Sequence, residues 1–227
     1  MTDFDEFFQT SYPRLMARAV LLCGNRSDAE DAVAEAFAEV ARNWATASGY
    51  DAPEAYLHVT MTRKVFRLHR WRRRLEEMAA LELPVSPFAT PHEALEAKEV
   101  LAAVAGLPPM QRAVLVHCCL DGMKQAEVAK LLGLRRGTVA AHLFKAREAL
   151  AKRLGLPITR VVEDGLVAVR WDRRVSAGAG LSEDPLDLAL RGAEQWLTDG
   201  FATDGATRGR MRAAVDRVQP KRWWGRG

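Results

Sequence analysis

Apolar residues recur every three to four positions along the first 155 residues, which is the period of amphipathic helices. In the opening segment Phe4, Phe8 and Tyr12 fall on one face. Gly24 follows that segment, and glycine commonly ends a helix because it adopts a left-handed conformation without strain. We find no convincing strand pattern in this part of the chain and expect a mainly α-helical protein.

Two further helices are predicted before residue 75. Ser27 is the expected N-cap of the second helix, with Glu30 three positions later to complete a capping box. Pro53 is the expected first residue of the third helix, because the amide that proline lacks would have no partner at that position.

Residues 76–92 contain three prolines and three acidic residues without one base, and they predict an extended, flexible acidic linker. Helical periodicity returns at 93–105 and in three shorter segments at 109–120, 124–132 and 136–153. Glycine and proline residues separate these segments, so we expect several short helices rather than one long one.

Beyond Gly155 the pattern changes. Two β-rich runs, 158–163 and 166–171, flank Asp164-Gly165, a pair that is typical of tight hairpin turns. Pro185 then begins an amphipathic helix, and a weaker helical pattern follows it. A lone hairpin is only marginally stable, so we expect this C-terminal extension to pack against the rest of the chain.

Composition excludes several classes of protein. Of the 227 residues, 48% are hydrophobic and 27% are charged, which is ordinary for a globular domain and argues against a disordered chain. The apolar runs are shorter than the roughly 18 residues that a membrane-spanning helix needs, so we expect no membrane insertion. The net charge of +4 is small, and the distribution of charge therefore matters more than its sum.

The first residues are acidic and contain no apolar run, so we expect no secretory signal. Cys23, Cys118 and Cys119 have neither zinc-site nor disulfide-framework spacing, which indicates a reduced cytoplasm. No motif points to a catalytic residue, a metal or a cofactor.

The third predicted helix carries a strongly basic surface. Its basic residues, which Trp71 interrupts, are Arg63, Lys64, Arg67, Arg70, Arg72, Arg73 and Arg74. Like charges on one helix repel each other, and a phosphate backbone would compensate that repulsion. Tyr56 lies on the same side, where an aromatic ring can stack on an unpaired base. A merely solvated basic face is the alternative interpretation.

The second predicted helix has the opposite charge. The acidic residues on one of its faces, beside the apolar Phe37, are Asp28, Asp31, Glu35 and Glu39. Such a face would repel DNA. It is either solvated or complementary to a basic protein surface.

Residues 124–147 have the spacing of a helix-turn-helix. The small Ala129 allows two helices to cross closely, and Gly133 permits a positive φ in the turn. The outer face of the second helix would present groups that suit a DNA major groove. These groups are Arg135, Arg136, Thr138, Ala141, His142 and Lys145. Many all-α cores contain a similar helix pair, so the spacing alone leaves a purely structural role open.

These segments, in this order, resemble extracytoplasmic-function (ECF) sigma factors. Residues 28–37, 53–57 and 70–74 are similar to the second domain of that family, and 107–115 and 137–143 are similar to its fourth domain. The resemblance covers about residues 4–155 and implies two small helical domains on a flexible linker.

In the terms of that resemblance the chain divides into four parts. Residues 1–75 would form sigma domain 2, and residues 76–92 would form the acidic linker. Residues 93–155 would form sigma domain 4, which contains the helix-turn-helix. Residues 156–227 would form a small mixed α/β C-terminal extension, which the resemblance does not cover.

The resemblance also implies functions for the surfaces described above. The acidic face with Phe37 would bind core RNA polymerase, at the β′ clamp helices, with the β subunit as a further contact. Tyr56, Trp71 and the basic residues of 63–74 would contact the −10 promoter element, and the outer face of helix 136–153 would contact the −35 element. The protein would need no cofactor and would not itself be an enzyme. An anti-sigma factor is a further partner that the family allows.

One alternative fits residues 109–153 nearly as well. It is a helix-turn-helix transcription regulator whose first 80 residues sense a ligand or dimerise. The acidic helix followed by an aromatic and basic helix favours the sigma factor, because a sensor needs neither.

Overall fold

The computed structural model describes residues 3–71, 86–156, 158–163, 166–171 and 184–218. The chain forms two compact units. The first combines Met1–Phe88 with Leu197–Gly227, and the second consists of Ala89–Trp196. The C-terminal extension is therefore divided between both units, whereas the sequence predicts one separate part.

The helices and strands follow the predicted pattern closely. In chain order they are α1 (Phe4–Cys23), α2 (Arg26–Arg42), α3 (Trp44–Ala47), α4 (Pro53–Trp71), α5 (Pro91–Ala105), α6 (Pro109–Leu115), a π-helical turn (Val116–Leu120), α7 (Gln125–Leu132), α8 (Arg136–Arg153), β1 (Ile158–Glu163), β2 (Leu166–Trp171), α9 (Pro185–Thr203) and α10 (Gly205–Val218). The sequence patterns did not predict the short α3.

Two helix starts differ from their predictions. The N-cap of α2 is Asn25 and not Ser27, because the Asn25 side chain accepts a hydrogen bond from the amide of Asp28. Helix α5 begins at Pro91, two residues before the predicted start, because Thr90 and Glu93 form a reciprocal capping box. The end of α1 is as predicted, since Gly24 has a φ of 76°.

Aromatic rings fill the core of the first unit between α1 and α2. Phe8, Tyr12 and Phe37 are completely buried. The rings of Phe8 and Phe37 have their centroids 4.6 Å apart. Helix α4 adds Leu57, which is also buried. The helices of this unit are held together by a shared apolar core, as the periodic sequence pattern requires.

The end of the chain belongs to this same unit. Helix α10 packs against α2. Phe201, Met211 and Val215 are buried, and Arg26 of α2 lies 2.7 Å from Asp204. The expectation that the extension packs against the rest of the chain is confirmed for this segment.

In the second unit α7 and α8 form a helix-turn-helix. Gly133 between them has a φ of 67°. Val114, Val128, Ala129 and Val139 form a buried cluster that joins α6, α7 and α8. This cluster fixes the orientation of α8, so that its opposite side is left to solvent.

The predicted hairpin is present beside α8. Strands β1 and β2 pair antiparallel, with Ile158 opposite Trp171 and Glu163 opposite Leu166. Strand β2 lies against α8. At the start of α9, Asp187 accepts a hydrogen bond from Arg147 of α8 over 3.0 Å, and Asp184 accepts another from the same guanidinium.

Candidate functional site

The acidic helix α2 presents fewer acidic groups than its sequence suggests. Asp31 is exposed, and the side chains of Glu35 and Glu39 are 41% and 34% exposed. Asp28 is only 5% exposed, because Asn25 holds it in the N-cap with a 3.0 Å hydrogen bond to its carboxylate. The predicted polymerase contact through Asp28 would therefore have to reach a side chain that the fold largely encloses.

Phe37, the apolar residue predicted to contact polymerase, is enclosed still more completely. Its ring is completely buried and packs on Phe8, so it cannot reach a partner protein. It fixes α2 on α1 instead, and it thereby positions the acidic residues on the outer side of α2.

Lys64 joins the acidic helix to the basic one. Its Nζ lies 2.5 Å from Glu39 and 4.0 Å from Glu35, and its side chain is 14% exposed. An ion pair with these carboxylates competes with a phosphate for the same ammonium group. Lys64 is thus held against α2, whereas its neighbour Arg63 is exposed.

Tyr56 lies at the start of the basic helix α4. The ring is half-buried and meets the ring of Tyr50 edge-on, with centroids 5.3 Å apart. Tyr50 is 45% exposed, and the two rings form an aromatic surface on the same unit as Arg63. The sequence patterns did not select Tyr50, because it lies in a loop outside any periodic segment.

The other predicted members of the basic surface are described only in part. Arg67, Arg70 and Trp71 belong to α4, but their side chains are outside the described part of the structure. Residues 72–74, the last three arginines, lie outside the described residues altogether.

The outer face of α8 is open to solvent as predicted. Its exposed residues are Arg135, Arg136, Thr138, Ala141 and Lys145. Val139, on the opposite side, is completely buried. The structure therefore places two arginines, a hydroxyl, a methyl group and a lysine along the exposed face of α8, from its N-cap to its middle. This combination can form hydrogen bonds to base edges and phosphates.

His142 differs from the rest of this face. It is half-buried, and its Nδ1 is enclosed without a hydrogen bond. Burial and the nearby Lys145 lower the pKa of His142 below its ordinary value of 6.5. The imidazole is therefore neutral at pH 7 and can offer DNA a hydrogen bond but no charge.

The cysteine and histidine residues near α6 do not form a reactive site. Burial raises the pKa of the Cys118 thiol to about 11, which keeps the thiol protonated. His117 is buried, with Nδ1 2.7 Å from Asp121. Across the described ranges, His, Cys, Asp and Glu side chains form no cluster suited to a metal ion. Nor does any helix in those ranges have the length and apolar character needed to cross a membrane.

Two family descriptions match the chain. "Sigma-70 region 2" matches residues 7–75, and "Sigma-70, region 4" matches residues 97–150. The "RNA polymerase sigma-E factor" of Streptomyces coelicolor is 32% identical over 154 residues, which are 67% of this chain and 86% of that protein. This chain belongs to the ECF family of RNA polymerase sigma factors.

A second ECF relative is longer than this chain. The "ECF RNA polymerase sigma factor SigE" of Mycolicibacterium smegmatis is 30% identical over 159 residues, which are 66% of this chain. The alignment spans 61% of that relative, somewhat less than two thirds of its length.

A solved sigma-factor structure supports the fold. The sigma factor RpoE of Bartonella quintana, in complex with the anti-sigma factor NepR, superposes with a TM-score of 0.54 at 20% identity, over 68% of this chain and 98% of that one. The two matched regions of this ECF sigma factor end at residue 150, so the hairpin, α9 and α10 lie outside both of them.

Proposed function

We propose that this ECF sigma factor binds core RNA polymerase, recognises −35 and −10 promoter elements and initiates transcription. The observation that carries the proposal is the order of the two matched regions, each with an exposed charged face of the appropriate sign. Residues 1–75 would bind polymerase and the −10 element, 76–92 would act as the linker, and 93–155 would bind the −35 element.

The polymerase contact would be made by the acidic side of α2. Asp31 is exposed, and Glu35 and Glu39 lie along the same helix at partial exposure. A negative surface attracts a basic partner and accelerates its association, particularly at low salt. Phe37 and Asp28 support this side of α2 from within the unit and make no contact of their own.

The promoter contacts would be divided between the units. Arg63 and the rings of Tyr56 and Tyr50 fit an opened −10 strand, because an aromatic surface can stack on an unpaired base. Arg135 and Arg136, at the start of α8, fit the major groove of a −35 duplex. Arginine there can make a bidentate contact with guanine.

Chemistry would remain with the polymerase, so this protein would act as an initiation factor and not as an enzyme. It would work in the bacterial cytoplasm, where the polymerase acts on DNA. An anti-sigma factor would be its regulatory partner, by analogy with the RpoE–NepR complex.

A charge-reversal experiment tests the polymerase contact. The double variant Asp31→Lys/Glu35→Lys should retain much less core polymerase in a low-salt pull-down than the wild type. The matched control is Glu96→Lys/Glu99→Lys, which reverses two exposed charges on α5 and should bind normally. Equal retention by both variants would refute the proposed contact.

The helix-turn-helix regulator is distinguished by its DNA binding. A regulator of that kind would bind one duplex sequence tightly without core polymerase. A sigma factor should gain promoter selectivity only when core polymerase is present.

A further inference from the structure

Helix α10 lies outside both family matches and has an unbalanced charge. Its sequence contains four arginines, Arg208, Arg210, Arg212 and Arg217, but only one acidic residue, Asp216. Within a single short helix such charges repel each other. The contacts of these side chains show which of the four charges are neutralised inside the protein.

Arg212 is neutralised and serves as an anchor. Its guanidinium pairs with Asp5 of α1 and lies 2.9 Å from Asp216. It also lies over the rings of Phe4 and Phe8, at 5.3 and 5.7 Å from their centroids. Asp204, the acidic residue just before α10, is engaged in turn by Arg26. Both carboxylates at this helix are therefore occupied.

Among the described residues, the hydrogen-bond partners of the other three arginines are neutral. Arg210 donates to the hydroxyl of Thr207 over 2.8 Å, and Arg217 donates to the carbonyl of Ala213 over 3.3 Å. Arg208 donates to the carbonyl of Ala202. Within the described part of the chain, none of the three forms an ion pair with a carboxylate.

Arg210 and Arg217 share one side of the helix. They are seven residues apart, which is two helical turns or about 10.5 Å along the axis. Both are exposed, and so is Ala213 between them. The sequence beyond the helix, 219–227, adds Lys221, Arg222 and Arg226 without any acidic residue. The sequence that follows α10 is thus basic as well.

We infer that the exposed side of α10, formed by Arg210 and Arg217, binds the phosphate backbone of nucleic acid without reading its sequence. Guanidinium groups fit phosphates with paired hydrogen bonds. The choice of nucleic acid rests on the proposed function, in which this unit meets promoter DNA. Because the proposed polymerase contact uses an acidic side of α2, the polymerase surface that complements it is basic and would repel these arginines.

The test measures the salt dependence of DNA binding by the full-length chain. The probe is a fluorescent duplex of random sequence, and the variant is Arg210→Gln/Arg217→Gln. Each phosphate contact contributes about 0.9 to the slope of log affinity against log salt. The variant should therefore have a slope shallower by about 1.8, and the wild type should lose about tenfold more affinity than the variant between roughly 50 and 200 mM salt.

A control variant separates this effect from net charge. Arg42→Gln/Lys98→Gln removes two exposed positive charges outside α10 and should keep the wild-type slope. A wild-type slope in the α10 variant would overturn the inference, and so would an equal change in both variants.

Binding to core polymerase and transcription by the holoenzyme are measured as well. They show whether α10 binds a protein instead of DNA, and whether the proposed function can fail while this inference holds. If the α10 variant binds random duplex normally but binds core polymerase less tightly, the partner is a protein surface and the inference is wrong. If the slope changes as expected while the reconstituted wild type starts no transcription from any promoter, the inference stands and the proposed function fails.

Discussion

Arg26 and Asp204 are 178 positions apart in the sequence, and the guanidinium of one donates to the carboxylate of the other over 2.7 Å. The second oxygen of Asp204 accepts a hydrogen bond from the amide of Thr207 over 3.0 Å, which caps the start of α10. One carboxylate therefore both begins the last helix and attaches it to α2. The end of this chain is a structural part of the first unit.

Because the end of the chain is part of the first unit, removing a buried side chain near the end of α9 should destabilise that unit strongly. Phe201 of α9 is completely buried in the first unit, so Phe201→Ala should lower the free energy of unfolding by about 3–5 kcal/mol. Amide hydrogen exchange of α1 and α2 would measure the loss of stability in the first unit, to which these helices belong. Leu188→Ala is the control, because Leu188 on the same helix is 46% exposed. Similar exchange in both variants would show that the end of α9 does not stabilise this unit.

The environment of Asp204 should make the stability of the folded protein depend on pH. Burial opposes its ionisation, but hydrogen bonds from Thr207 and Arg26 outweigh burial and lower its pKa below the ordinary 3.8. A carboxylate with a lowered pKa stabilises the folded state fully above its unfolded pKa and loses that contribution as the pH falls through the lowered value. The stability difference between the wild type and Asp204→Asn should thus be largest near about pH 6 and should shrink below 3.8. Denaturant titrations across this range would measure it, and a difference independent of pH would contradict the assignment.

The sequence predicted local structure well because the determinants are local. Pro53, Gly24 and Gly133 are at helix ends as expected, since each acts through its own backbone. The contact of Arg26 with Asp204 could not be predicted, because no periodic pattern relates residues so far apart. The division of the extension between two units depends on contacts of this kind.

Neighbouring residues on α4 give a test of the proposed −10 surface. Arg63 is exposed, while Lys64 is held by Glu39 and Glu35. Arg63→Gln should therefore reduce promoter opening more than Lys64→Gln, although both remove one positive charge. Permanganate reactivity of the −10 thymines, with reconstituted holoenzyme, would report opening. A larger defect in Lys64→Gln would mean that Lys64 leaves α2 to bind DNA.

Arg136 gives the corresponding test for the proposed −35 surface. If it reads a base edge, Arg136→Ala should cost roughly 1–3 kcal/mol and relax the preference at one base position. Competition binding with a set of single-base −35 variants would show this. The control Lys152→Ala removes an exposed charge from the other end of α8 and should leave the preference intact. An equal loss on every sequence would make Arg136 a phosphate contact.

The exposure of the residues in the predicted polymerase surface could not be predicted from the sequence. Asp28, Asp31 and Glu35 are equally acidic in the sequence, and helical spacing places them on one side of α2. The structure separates them because Asn25 takes Asp28 into the helix cap. An apolar residue such as Phe37 could lie either in the core or in a contact with a partner protein. Its contact with Phe8 shows that it belongs to the core.

Transcription by reconstituted holoenzyme would show whether this protein directs promoter-specific initiation. Core polymerase would be combined with this protein on fragmented genomic DNA of its host, and the 5′ ends of the RNA would be mapped against a reaction with core polymerase alone. We expect new, discrete start sites that share two upstream elements, and the loss of most of these starts with Arg136→Ala. The same pattern of starts with and without the protein, despite binding to core polymerase, would refute the proposed function.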